Sequence, residues 1–170
     1  MQFAPLLAMP TRFDLIITAD HPNRTAEFRL RDDHGVQLAF RQTDFKNIAA
    51  GRLQGLFDLR NFLRTYVEEG KEAAAVAEIG VCIAQEVLGQ EIFEKLWQSE
   101  SQRTLRIQLP GATQQENHLA AALARVPWEV ARPGAGQPTL AKRNLLVRVV
   151  HDMQASESKP VELADRKSVV

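Results

Sequence analysis

Residues 123–153 read LARVPWEVARPGAGQPTLAKRNLLVRVVHDM. A short helical stretch over 118–125 runs into Pro127-Trp128-Glu129, a loop at 133–138 carries two prolines and two glycines, and 144–150 is an aliphatic run of the buried-strand type. Each residue of the tripeptide suits a corner. Pro127 fixes φ at the start of a turn, and Trp128 brings a large apolar surface with one N–H to satisfy. Glu129 is placed to pair with a strand arginine, Arg143 or Arg148. Gly134 and Gly136 have no helix N-terminus behind them, so the loop does not read as a phosphate cradle.

Upstream of this corner, Leu105, Ile107 and Leu109 alternate with Arg106 and Gln108, which predicts a strand over 104–110 closed by Pro110. Near the N-terminus, 11–19 is rich in β-branched and aromatic residues and predicts a first strand before the turn His21-Pro22-Asn23. Phe28 and Leu30, then Val36, Leu38 and Phe40, alternate with polar neighbours around Asp32-Asp33-His34-Gly35. That pattern predicts a hairpin with one buried face, Gly35 supplying positive φ.

Between these strands the period lengthens. Asp44 caps a short helix ending at Gly51, apolar residues from Leu53 to Val67 recur at three-and-four spacing, and Arg52, Arg60 and Arg64 form a solvated face. An Ala-rich helix over 71–88 carries Val76, Ile79, Ile83 and Val87, breaks at Gly89, and gives way to an amphipathic segment through Trp97. The segments 99–102 and 111–117 read as polar linker and loop. The order predicts α/β (or α+β): a mixed sheet with an N-terminal hairpin and helices packed on it. One domain over 1–153 is expected, with 154–170 a flexible tail or linker to a further segment.

With 21 basic and 21 acidic residues, the overall field gives no argument for nucleic acid or an anionic membrane as partner. One cysteine, Cys82, forms no intrachain disulfide. The N-terminus lacks a basic region and its apolar run is broken by Pro5 and Pro10, so a reducing, cytoplasmic setting is expected. His21, His118 and His151 stand too far apart for metal-ligand spacing, and no pattern asks for a cofactor. Asp58, Glu68 and Glu69 read as helix-surface carboxylates. His34-Gly35 followed by Cys82 imitates the order of a caspase-type dyad. Turn placement of the histidine and a mid-helix thiol among aliphatics argue against it, since burial raises a thiol pKa.

Val126-Pro127-Trp128-Glu129, Gly136-Gln137-Pro138-Thr139-Leu140, Arg143 and Leu145-Leu146-Val147-Arg148 resemble the first half of a CHAT domain, the caspase-like module related to separase. Weaker similarity covers Leu56-Phe57-Asp58-Leu59-Arg60 and Glu78-Ile79-Gly80, so the resemblance spans about 45–152. It implies a pseudo-protease subdomain whose structural motif is Pro127, Trp128, Glu129, Arg143 and Arg148. In active members a catalytic His-Gly and Cys come later, each after a buried strand, and neither stands in these residues. The resemblance therefore implies a non-catalytic scaffold or regulatory portion of a cysteine peptidase, partnered by a catalytic C-terminal half or a TPR-type protein. If so, the strand over 144–150 should expose an unpaired edge or an apolar patch. The alternative is a stand-alone protein-interaction module, as a homodimer through the Ala-rich helix or a sheet edge.

Overall fold

The computed structural model describes residues 12–67, 70–98, 103–110 and 118–150. The expected tail at 154–170, the linker at 99–102, the loop at 111–117, His151, Glu68 and Glu69 lie outside the described residues. The fold is α/β: helices pack on one mixed sheet of β1 (Arg12–Asp20), β2 (Thr25–Asp32), β3 (Gln37–Asp44), β4 (Arg103–Leu109) and β5 (Asn144–Val150), ordered β3-β2-β1-β4-β5. The first three strands pair antiparallel, whereas β4 runs parallel to β1 and β5 parallel to β4.

The β2–β3 turn forms where Asp32 predicts it. Its carboxylate accepts the N–H of both His34 and Val36, and Gly35 takes φ 81°. Of the β3 face expected to be buried, however, only Leu38 packs against the core. A register irregularity between Leu30 and Arg31 sets Ala39 opposite Leu30 on the core side and Phe40 opposite Arg29 on the other. Ala39 is buried, Val36 and Phe40 are exposed, and the Arg29 guanidinium lies 5.8 Å from the Phe40 ring centroid.

The helices begin and end differently from the expectation at two points. Asp44 caps only a single 3-10 turn, Phe45–Asn47, and Gly51 lies in the first turn of α1 (Ala50–Phe57) instead of closing a helix. The apolar run beyond Leu53 is split at Asp58, whose carboxylate accepts the Asn61 N–H and starts α2 (Leu59–Arg64). Asp58 is a cap, where periodicity alone suggested a plain surface carboxylate.

α3 (Glu72–Cys82) continues through a π-helical turn, Ile83–Leu88, to the break at Gly89 (φ 73°) and into α4 (Gly89–Trp97). Buried Thr43 of β3 donates its hydroxyl to the Val87 carbonyl at 2.7 Å, tying the widened turn to the sheet. Ala75, Ala77, Ile79 and Gly80 are buried within the chain, so the small residues of α3 admit its own neighbours closely.

Phe13, Leu15 and Ile17 of β1, Phe28 and Leu30 of β2, and Leu105, Ile107 and Leu109 of β4 share one core with the helices. All lie on one face of the sheet. On the opposite face no described strand residue is buried. β5, whose aliphatic run is of the buried-strand type, is an edge: Leu146 meets the core, while Leu145 is 58% and Val147 38% exposed. Its hydrophobic run identifies a strand without fixing how many neighbours that strand has. Among the described residues, no helix is long and apolar enough to cross a membrane.

Candidate functional site

α5 (His118–Arg125) forms where its pattern predicts and buries Leu119, Ala120 and Leu123. The chain then passes Pro127 (φ −80°) into one 3-10 turn, Trp128–Val130. Trp128 is fully buried, its ring edge-on to Phe28 with centroids 6.1 Å apart. The indole N–H expected to need a partner has no acceptor among the described residues.

This turn sits on α3 at Gly80. The Gly80 carbonyl accepts the Arg132 N–H at 3.1 Å, and a Cβ at Gly80 would stand 2.2 Å from the Val130 carbonyl oxygen. The Ala131 carbonyl in turn accepts the N–H of Leu140, which opens α6 (Leu140–Arg143). Gly80 is the residue that sequence reasoning missed as part of the corner; its signals were a glycine inside an Ala-rich helix and its place in the weaker similarity at Glu78-Ile79-Gly80.

Of the two arginines offered to Glu129, the fold selects Arg148. Its Nη2 donates to both carboxylate oxygens at 2.7 and 2.6 Å, and its Nε donates to Oε1 at 3.0 Å. Nη1 reaches the Ala124 carbonyl at 2.9 Å and Nη2 the Val126 carbonyl at 3.1 Å. These carbonyls lie at the C-terminal end of α5, where backbone acceptors are left over and a cation is favoured. Strand alternation explains the choice, because Arg148 projects to the same side as Leu146. Arg143 turns away: it donates to the Trp97 carbonyl at 3.0 Å and stacks 4.7 Å from the Trp97 ring centroid.

With its donors engaged by Glu129 and two carbonyls, Arg148 acts as a clamp between β5 and the Trp128 corner, not as a receptor for an anion. Arg148→Met is expected to cost about 1–2 kcal/mol, a fall in Tm of about 2–8 °C by thermal denaturation. Arg148→Lys should recover little, since a lysine cannot span carboxylate and carbonyls together.

The His34 and Cys82 pair fails on geometry. The His34 side chain is 80% exposed in its turn, whereas Cys82 is buried at the end of α3. Burial, and then nearby Glu86, push the thiol up from 9.0 to about 12. Native protein is therefore expected to resist a disulfide-exchange reagent at pH 8 and to react fully once unfolded. Because the folded pKa is raised, the stability tied to the neutral thiol is complete below pH 9 and lost as pH rises from there towards 12.

Other placements depart from the sequence pattern. Arg52, expected on a solvated face, bridges α1 to Glu86 and, at 3.5 Å, to Glu78. His21 and His118 meet edge to face with centroids 5.3 Å apart, and among the described residues no third ligand-type side chain joins them to form a metal site. A cleft of about 420 Å³ lies between α4 and the Pro133 loop, lined by Gln85, Gln90 and Glu94. Its amides are bonded to the Pro133 carbonyl and to Glu94, leaving no paired nucleophile and base. A scan against protein-family models gives no match for this chain, and a search of the curated proteins gives none either.

Proposed function

We propose that this chain is the non-catalytic scaffold portion of a CHAT-type, caspase-like cysteine peptidase. The observation that carries the reading is β5. It is a parallel edge strand bearing exposed Leu145, Val147 and Val150, and Arg148 holds it to the Pro127-Trp128-Glu129 corner that the resemblance singles out. Such an edge, with one charge and that charge turned inward, is suited to receive another strand. Catalysis in this reading belongs to a segment carrying His-Gly and Cys, and Cys82 has no part in it.

The test is to express the chain alone and with whatever its reading frame encodes beyond Val170, then assay peptide hydrolysis. Activity is expected only with the continuation, should be blocked by iodoacetamide, and should survive Cys82→Ser. A frame without a later His-Gly and Cys, or activity abolished by Cys82→Ser, would sink the reading.

A further inference from the structure

The face of the sheet that no described helix covers carries a chemistry of its own. At one register level Arg31 of β2, Asp14 of β1, Arg106 of β4 and Val147 of β5 stand side by side. Arg12 joins them from β1, its Nη2 3.6 Å from Asp14, and the Arg106 Nε is 3.5 Å from the same carboxylate. Asp14 is thus one carboxylate among three guanidiniums. The Nε atoms of Arg12 and Arg31, and Oδ1 of Asp14, are buried with no hydrogen-bond partner among the described residues. Beside this row lies the aliphatic stripe of Leu145 and Val147.

The sheet's pairing and handedness both call for a cover on this face. Parallel strands are found with both faces packed, yet among the described residues β1, β4 and β5 are packed on one. The crossovers from β3 to β4 and from β4 to β5 move the same way across the sheet with their described helices on the same side. Another step of the same hand would place its helix on that side again. The open face is therefore not closed by extending the pattern.

We infer that the open face of the sheet binds an amphipathic helix of a partner protein, with carboxylates over Arg12, Arg31 and Arg106 and aliphatic side chains over Leu145 and Val147. Nucleic acid is the other class that arginines attract. Asp14 in the middle of the row would repel a phosphate backbone, and the adjoining stripe is aliphatic where single-stranded bases need aromatic rings. This inference concerns a different surface from the edge of β5 and stands whether or not the peptidase reading does.

The full chain is used to select from a displayed library of helical peptides randomised on their surface positions, with a single-stranded oligonucleotide measured in parallel by anisotropy. Enriched peptides are expected to combine Asp or Glu with Leu, Ile or Val on one side. Their binding should weaken about tenfold or more for Arg31→Glu with Arg106→Glu, and substantially for the gentler Arg31→Gln with Arg106→Gln, both checked for native circular dichroism. Replacing the peptide carboxylates with lysine should restore binding to the Glu variant. Enrichment without acidic bias, binding indifferent to both arginine pairs, no enrichment at all, or preferential binding of the oligonucleotide would each overturn the inference.

Discussion

Gly80→Ala is expected to destabilise the chain by about 2 kcal/mol, read as a lower denaturant midpoint with an unchanged slope. Two effects oppose each other at this position. Alanine in a helix interior gains about 1 kcal/mol over glycine from backbone entropy. Against that, its Cβ would come within 2.2 Å of the Val130 carbonyl oxygen and 3.1 Å of the carbonyl carbon. The obstacle is backbone, and it is held there by the Arg132 N–H bonded to Gly80 itself. Relief requires α3 and the Trp128–Val130 turn to separate, at an overpacking cost of about 1–3 kcal/mol plus about 1 kcal/mol for the strained hydrogen bond. The clash wins. Gly51 supplies the control: it lies in the first turn of α1, exposed, with nothing within 4 Å of a Cβ. There the same substitution should stabilise by about 0.5–1 kcal/mol. Equal shifts at the two glycines would show that the corner does not rest on α3.

That contrast also shows where sequence stops informing about this fold. Period-2 alternation placed β2 and β4 with the correct side inward, because Phe28, Leu30, Leu105 and Ile107 have only one face on which to hide. It misassigned β3, where a register shift decides whether Ala39 or Phe40 meets the core, and no local preference records that shift. Asp58 was misread for a related reason. A carboxylate within an apolar period looks like solvent-facing decoration until its backbone turns out of the helix and it caps the next one.

The candidate site was legible in part: Pro127, Trp128, Glu129 and Arg148 meet at the corner, while Arg143 lies on Trp97. Glu129 needed a cation from a strand, and both Arg143 and Arg148 satisfied that requirement on paper. What separates them is that Arg143 closes a four-residue helix facing Trp97, whereas Arg148 shares the core side of β5 with Leu146. The same alternation puts Leu145 and Val147 on the uncovered face. A run such as NLLVRVV therefore identified a strand while leaving open which half of it the rest of the chain would cover.

Trp128→Ala is expected to cost about 3–5 kcal/mol, the largest single-residue loss in the corner, because it empties a fully buried site beside Phe28. Trp128→Phe should behave very differently. It gives up part of the ring volume, which opens a small cavity and costs about 1–2 kcal/mol. It also removes a buried N–H that finds no acceptor among the described residues, a group whose unpaired burial costs about 1–3 kcal/mol. The two changes offset, so the phenylalanine variant should lie within about 1 kcal/mol of the parent by urea titration. Chain fluorescence offers an independent check, since the only other tryptophan, Trp97, is half-buried against Phe93 and Arg143. Emission lost in Trp128→Phe should be the blue, quencher-resistant component, leaving the component from Trp97. A phenylalanine variant as unstable as the alanine one would mean that the indole N–H is bonded after all, and that Trp128 holds the corner through a polar contact as well as by filling space.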